Sequence, residues 1–163
     1  MSYCIRHATF SDLPRILEIY HHARQYMRQQ GNPNQWGDTH PAESILQEDI
    51  PKKQLYVCTE NQEILCVFAY LPGIDPTYLV IEGGSWLNDD SYGVIHRMAV
   101  ARHQQGIASF CFDWALQQCP NLRIDTHRDN LPMQNALKKN GFSRCGIIYL
   151  ANGDPRIAFH KVK

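Results

Sequence analysis

The 163-residue chain lacks the features that would commit it to a membrane, a nucleic acid or secretion. Its apolar runs are far shorter than the roughly 20 residues that a membrane helix needs, and its N-terminus lacks the charged-then-apolar pattern of a signal peptide. Lys plus Arg and Asp plus Glu both number 16, and no basic run occurs. We therefore expect no nucleic-acid partner, no membrane association and a cytoplasmic location.

Cysteine and histidine are present, but not in the spacing that binds metals. The six cysteines are scattered through mostly apolar segments with no Cys-x-x-Cys pair, as expected for buried thiols in a reducing compartment. His21 and His22 are adjacent rather than spaced to converge on one ion, and the chain has no His-Glu-x-x-His motif. The sequence therefore predicts no metal site.

Hydrophobic periodicity predicts an α/β fold in a single domain, 1–163, with a mixed sheet of about seven strands flanked by about four helices. The predicted strands are 3–6, 55–59, 64–70, 92–100, 122–126, 142–150 and 156–162, and the predicted helices are 13–27, 41–50, 105–118 and 131–140. The strand, helix and strand between 92 and 126 require at least one parallel step. The aromatic-rich stretch 71–91 is predicted to be an irregular, functional connection.

The stretch from Tyr92 to Leu116 is the most informative part of the sequence, because it predicts a strand, a glycine-bearing turn and a helix start. Free N–H groups at the positive end of a helix bind phosphate or pyrophosphate. No Gly-Lys-Ser/Thr follows, which excludes a Walker P-loop, and one glycine stands where a dinucleotide fingerprint has three. The pattern predicts a coenzyme phosphate site around Gly106.

Four segments, in order and covering nearly the whole chain, resemble the GCN5-related N-acetyltransferase (GNAT) family. They are Arg6-His7-Ala8-Thr9 with Asp12-Leu13 and Ile16; Ile95-His96-Arg97-Met98-Ala99-Val100; His103-Gln104-Gln105-Gly106-Ile107-Ala108; and Asn130 with Asn135-Ala136-Leu137 and Gly141-Phe142. The resemblance implies the GNAT fold, acetyl-CoA as co-substrate and N-acetyltransferase activity. It also implies a central strand that separates from the next strand at a bulge, leaving a gap for the pantetheine arm.

The resemblance also implies which residues bind acetyl-CoA. The pantetheine arm would pair with the backbone of the central strand, the pyrophosphate would sit on the N–H groups of the turn, and two asparagines would approach from the following helix. These residues are Met98, Ala99, Val100, His103, Gln104, Gln105, Gly106, Ile107, Ala108, Ser109, Asn130 and Asn135. His103 departs from the family pattern, which usually has Arg or Gln at that place, and the neighbouring Arg102 is a candidate source of the charge.

Acetyl transfer to an amine requires a base, and His96 is the first candidate. Imidazole changes its charge near neutral pH, and strand alternation predicts that Val94, His96 and Met98 share one side of the strand. The segment His96-x-Met98-Ala99-Val100 resembles the His-x-Leu-Ala-Val of serotonin N-acetyltransferases, where such a histidine is a proposed base. A half-buried structural histidine remains the alternative. Glu82 is the rival base, with a solvated loop carboxylate as its alternative.

The family's usual acid, a tyrosine that protonates the CoA thiolate, is missing. Leu137 occupies the corresponding place, and the nearest tyrosine in sequence is Tyr149. A thiolate is already a tolerable leaving group, so this departure leaves the enzyme prediction in place. It also suggests the alternative of a catalytically weak or inactive acyl-CoA-binding sensor.

Aromatic residues of the irregular segments are predicted to form the acceptor pocket. They are Trp36, Tyr70, Tyr78 and Trp86, and with Glu82 they would suit a small cationic amine. The alternative is that these rings simply cover the core. A small-molecule amine is the expected acceptor, and a protein N-terminus remains an open alternative. The sheet's edge strands can pair with another chain, so a homodimer is also open.

Overall fold

The computed structural model describes residues 2–103 and 105–163, which form a seven-stranded mixed sheet with four α-helices. The strands are β1 (Tyr3–His7), β2 (Leu55–Glu60), β3 (Glu63–Pro72), β4 (Gly93–Val100), β5 (Asn121–Thr126), β6 (Ser143–Tyr149) and β7 (Pro155–Val162). The helices are α1 (Leu13–Gln29), α2 (Glu43–Asp49), α3 (Ile107–Gln118) and α4 (Leu131–Lys139). The predicted fold class and order of elements are confirmed.

The strand order is β1-β2-β3-β4-β5-β7-β6, and β4 with β5 is the parallel pair, connected through α3. Helices α1 and α2 cover one face, where Ile19 and Leu46 pack on Val67. Helix α3 covers the other face, where Phe112 packs on Ile95 and its neighbours. Of the apolar residues that recur at helical spacing in α1, Ile16, Tyr20 and Ala23 are buried in this layer.

A capping box formed by Thr9 and Asp12 precedes α1. The Thr9 N–H donates to Asp12 Oδ2 at 2.8 Å, completing a capping box on the 3-10 turn that leads into the helix. The Arg6 guanidinium holds the same carboxylate with contacts of 2.7 and 3.0 Å. Its hydrogen bond outweighs burial and, with the donors of Thr9, lowers the pKa of Asp12 to about 2. The contacts of Arg6 and Thr9 with Asp12 thereby join strand β1 to the start of α1.

Strand β4 carries a bulge at Arg97, whose φ is +55°. The Tyr20 hydroxyl donates to the Arg97 carbonyl at 2.8 Å, and the Arg97 side chain pairs with Asp49 at 2.5 Å. The extra residue reverses the alternation of side chains beyond it. Met98 therefore packs on the α3 face and Ala99 on the α1 face. The prediction that His96 and Met98 share one side is wrong for this reason.

The parallel pairing of β4 with β5 covers only two positions, Gly93 with Leu122 and Val94 with Arg123. Beyond Val94 the strands separate, and the edge of β4 from Ile95 to Val100 faces a gap. This is the implied separation of the central strand at a bulge. It creates the space in which a ligand can lie against the strand backbone.

The long connection after β3 is ordered against the sheet. The Glu82 N–H and carbonyl exchange hydrogen bonds of 2.9 and 2.8 Å with Ile147 of β6. A Cβ on Gly84 would lie 1.9 Å from the Cys145 carbonyl oxygen, so this close approach requires glycine. Tyr78 and Trp86 of the same connection cover the sheet with Tyr92.

Two further findings concern the residues that the structure describes. None of their helices has the length and apolar character that crossing a membrane demands. In the same ranges, no three His, Cys, Asp or Glu side chains converge in a way that would hold a metal ion.

Candidate active site

A cleft of about 450 Å³ lies between the end of β4, the turn after it, and helices α1, α3 and α4. Of the twelve residues predicted to bind acetyl-CoA, eleven line it: Met98, Ala99, Val100, His103, Gln105, Gly106, Ile107, Ala108, Ser109, Asn130 and Asn135. The twelfth, Gln104, lies outside the described residues. The sequence segments 98–103, 105–109 and 130–135 therefore converge on one space.

The turn at the base of α3 is held from several sides. Gly106 has a φ of +71°, and a Cβ there would meet nothing within 4 Å, so the backbone conformation is what favours glycine. The Tyr3 hydroxyl donates to the Gln105 carbonyl at 2.9 Å. Arg102 makes a two-point contact with Glu63, at 2.9 and 3.0 Å, and is thus already paired rather than free to supply charge at the turn.

His103 lines this cleft and has a ring nitrogen without a hydrogen-bond partner in the described part of the chain. Its ring stacks on Tyr26 at 3.7 Å between centroids, and its Nε2 is buried without a hydrogen-bond partner in the part of the chain that the structure describes. Burial, followed by the charge of His22, lowers the pKa of His103. An orphaned nitrogen, the unpaired edge of β4 and the helix start together fit a ligand that carries both phosphate and amide groups.

The two asparagines occupy different environments. Asn130 caps α4 by accepting from the Met133 N–H at 3.1 Å, and its Nδ2 donates to Gln35 at 2.9 Å. Its carboxamide is thus committed to protein partners, whereas Asn135 is exposed at the cleft. Of the two, Asn135 has the side chain that is free to contact a ligand.

A second cavity, of about 610 Å³, adjoins the first. Both are lined by Met27, Met98, Asn130 and Met133, so they meet at the bulge of β4. Trp36 and His96 line the second cavity, as do Asp125 of β5 and Arg156 of β7. A molecule in this cavity can approach the end of a ligand lying in the cleft.

His96 lines the second cavity, and a hydrogen bond with Asp75 orients its imidazole ring. Its Nε2 lies 2.8 Å from Asp75 Oδ2, and Asp75 Oδ1 accepts from the N–H and hydroxyl of Thr77. Burial acts to raise the pKa of Asp75, but the hydrogen bonds from His96 and Thr77 outweigh it and lower the pKa to about 2. An ionised carboxylate only accepts, so Nε2 carries the proton and Nδ1 carries the lone pair. His96 is thereby prepared to accept a proton at Nδ1.

The other predicted acceptor residues lie elsewhere. Tyr70 is buried in the core against Trp114, and Tyr78 is buried with its hydroxyl donating to Asp125 at 2.6 Å. Trp86 donates its indole N–H to the Tyr78 carbonyl at 2.9 Å. These three rings cover the core and do not line the cavity, which was the alternative reading of the aromatic residues.

Glu82 is exposed and accepts from the Tyr149 hydroxyl at 2.9 Å, away from both cavities. Leu137 is fully buried in the core. Neither cavity is lined by Tyr149, and the tyrosine beside the coenzyme cleft is Tyr26.

Sequence reasoning missed Asp75, Asp125 and Arg156. Asp75 had a local signal, because Asp75-Pro76-Thr77 is a typical start of a helical turn with a side-chain cap. Asp125 and Arg156 had no such signal: each stands in a strand, and only the sheet order brings the two strands together.

The fold is similar to that of solved acetyltransferases. A GNAT-family acetyltransferase from Streptococcus agalactiae is 27% identical, with 99% of this chain and 95% of that chain covered and a TM-score of 0.90. A GNAT-family acetyltransferase from Listeria monocytogenes is 18% identical, with 99% and 95% covered and a TM-score of 0.70. AAC(6')-Ib in complex with ribostamycin and coenzyme A is 19% identical, with 100% and 94% covered and a TM-score of 0.68.

Neither protein-family models nor curated protein sequences give a match to this chain. The comparison therefore depends on structure: the order of the strands, their separation beyond Val94, and a similarity that spans both chains almost completely. The protein has the fold of the GCN5-related N-acetyltransferases, and its similarity to solved acetyltransferases supports acetyl transfer as its activity.

Proposed function

We propose that the chain transfers the acetyl group of acetyl-CoA to a primary amine of a small molecule, with His96 as the base. The observation that carries the proposal is the meeting of the two cavities at Met98, with His96 one residue before the bulge and facing the second cavity. The similarity to acetyltransferases, one of them solved with coenzyme A, supports the assignment of the cleft to acetyl-CoA.

Different residues of the cleft would bind different parts of the coenzyme. The N–H groups that begin α3, from Gly106 to Ser109, would hold the pyrophosphate, and His103 Nε2 would meet a polar atom nearby. The free edge of β4 at Met98 and Val100 would pair with the pantetheine amides, and Asn135 would contact the arm from α4. Acetyl-CoA supplies an activated acetyl thioester.

The chemistry follows from the position of His96. Asp75 holds the imidazole with its Nδ1 lone pair available, and Nδ1 takes a proton from the acceptor ammonium directly or through a water. The neutral amine attacks the thioester carbonyl carbon, and the C–N bond forms as the C–S bond breaks and CoA leaves as a thiolate. The nitrogen loses its second proton as the amide forms, and a proton delivered through water neutralises the thiolate. The backbone N–H of Met98 or Ala99 would donate to the thioester oxygen as negative charge develops there.

The phosphate site is tested by paired substitutions at Gly106. Gly106→Ala and Gly106→Glu impose the same positive φ on a non-glycine residue, at a cost of about 1 kcal/mol in folding free energy. The glutamate alone adds a negative charge at the helix start, so we expect it to weaken acetyl-CoA binding at least about tenfold beyond the alanine variant. Titration calorimetry with acetyl-CoA measures the difference.

Thermal melting by circular dichroism is the control, because both variants should melt at nearly the same temperature. Equal affinity of the alanine and glutamate variants for acetyl-CoA would contradict the phosphate assignment.

A further inference from the structure

We propose that the acceptor is an amine that also carries a carboxylate, as an amino acid does, and that Arg156 binds this carboxylate. The inference deepens the proposed function and rests on it. It starts from a buried charge that lines the acceptor cavity and that makes no salt bridge within the described residues, although Asp125 and Asp154 line the same cavity.

Arg156 stands at the start of β7 and is 6% exposed. Within the described residues its guanidinium makes one hydrogen bond, from Nη1 to the carbonyl of Pro155 at 2.9 Å, and no salt bridge. Burial is the main cause that lowers the pKa of Arg156, and the charges of Asp125 and Asp154 oppose it. A buried guanidinium without a paired anion is costly unless a ligand supplies the anion.

The neighbouring Arg123 also makes no salt bridge in the described part of the chain, and its Nε is buried there without a hydrogen-bond partner, but aromatic rings stabilise its charge. Its guanidinium lies between the rings of Trp86 and Tyr92, at 4.3 and 3.9 Å from their centroids, and donates to the Asn88 carbonyl. Arg156 has no aromatic ring over it in the described part of the chain. The difference between the two arginines marks Arg156 as a ligand-binding group rather than a packing group.

The strand register puts Arg156 on the same face of the sheet as His96. Asp125 is paired with Ala158, two residues after Arg156, and Val94, two residues before His96, is paired with Arg123. Side chains two apart on a strand share a face. His96, Asp125 and Arg156 therefore share one face of the sheet, and all three line the same cavity.

Asp125 does not satisfy Arg156 itself. Its Oδ2 accepts the Tyr78 hydroxyl at 2.6 Å, and no salt bridge joins it to Arg156. Its charge lies between the two basic side chains, where an ammonium group would be favoured. A carboxylate at Arg156 and an amine between Asp125 and His96 match an acceptor that bears both charges, and two-point binding of carboxylate is the geometry that guanidinium favours.

The experiment compares acceptors that differ only in the carboxylate. Phenylalanine is paired with phenethylamine, and 4-aminobutanoate with propylamine, and CoA release is followed for wild type, Arg156→Gln and Arg156→Lys. We expect the wild-type kcat/KM to favour the carboxylate-bearing member by roughly 100-fold. Arg156→Gln should remove that preference through KM, with the plain amine changed by less than about threefold.

Arg144→Gln is the matched control, because Arg144 is an exposed arginine on the neighbouring strand β6. It should leave both members of each pair unchanged. Arg156→Lys keeps a charge without the planar fork, so it should lose part of the preference; it also serves if Arg156→Gln does not fold. Alanine and its phosphonate analogue separate a carboxylate site from a general anion site, and a preferred phosphonate would overturn the carboxylate assignment.

Failure of the inference is distinguishable from failure of the proposed function. Turnover of plain amines as fast as of amino acids, or an equal loss for both in Arg156→Gln, would overturn the inference and leave the acetyltransferase standing. If no acceptor is turned over, the inference is tested by the melting temperatures of wild type and Arg156→Gln, each measured with and without a millimolar amino acid. A rise that Arg156→Gln abolishes supports the carboxylate site, and no rise in the wild type overturns it.

Discussion

The Asp75 side chain divides its two oxygens between Thr77 and His96. Oδ1 accepts from the Thr77 N–H at 2.9 Å and from its hydroxyl at 2.7 Å, and Oδ2 faces His96 Nε2. The carboxylate therefore fixes both the orientation and the tautomer of the imidazole. Asp75 does not line the acceptor cavity, so its role is to position His96.

Substitution of Asp75 by asparagine tests this role. The two Thr77 donors would keep the asparagine oxygen on their side, so its NH2 would face Nε2 and require a lone pair there. The proton would move to Nδ1, which could then no longer act as the base. We expect Asp75→Asn to lower kcat by roughly 100-fold or more, as measured by CoA release at saturating acetyl-CoA and acceptor.

Asp90→Asn is the control for this substitution, since Asp90 is an exposed carboxylate of the same connection. Titration calorimetry should give the same acetyl-CoA affinity for wild type, Asp75→Asn and Asp90→Asn. An unchanged kcat in Asp75→Asn would show that the tautomer of His96 does not matter to the reaction.

At the scale of the element, β1 and α1 are joined by the Arg6–Asp12 pair and the capping box. Because folding lowers the pKa of Asp12, its contribution is present at pH values above the unfolded pKa of about 4 and is lost as the pH falls toward 2. The Arg6 side chain is 43% exposed, so solvent screens the pair and the contribution is modest.

We therefore expect Asp12→Asn to lower the free energy of unfolding by about 1 kcal/mol at pH 7 and by progressively less below pH 4. Urea unfolding at several pH values measures this difference against wild type. Asp113→Asn, at an exposed position of α3, should show no such dependence. A penalty that stayed constant down to pH 2 would contradict the ionic origin of the contribution.

Most elements could be predicted because local signals set them. The apolar spacing of α1, the Thr9 to Asp12 signal and the Asn130 cap are all contained in short stretches of sequence. The bulge of β4 could not be predicted in place, because positive φ at Arg97 has no local signature and depends on Tyr20 and on Asp49 of α2. Alternation along β4 was therefore predicted correctly only as far as the bulge.

At the scale of the whole molecule, the two cavities differ in how far sequence could predict them. Half of the residues that line the proposed coenzyme cleft come from 98–103 and 105–109, whose turn motif is local, and the rest come from α1 and from 130–140. The acceptor cavity is assembled from the loop 34–40, the strands β4, β5 and β7, and the turn before β7. Its charged residues meet only because the sheet order places β7 between β5 and β6.

Because β4 separates from β5 beyond Val94, the two cavities adjoin and form one continuous site. The cavity that His96 lines lies where the two strands have separated, and at the bulge it meets the cleft around Gly106. We therefore expect an amine bound in the second cavity to react, beside His96, with acetyl-CoA bound in the cleft.

The most direct test is acetyl transfer itself, measured by mass spectrometry of the acceptor together with CoA thiol release, in wild type and His96→Gln. We predict one acetyl group added per CoA released, and a kcat reduced by about 100-fold or more in His96→Gln with acetyl-CoA affinity unchanged. Acetyl-CoA binding without acetylation of any amine, or full activity in His96→Gln, would contradict the account.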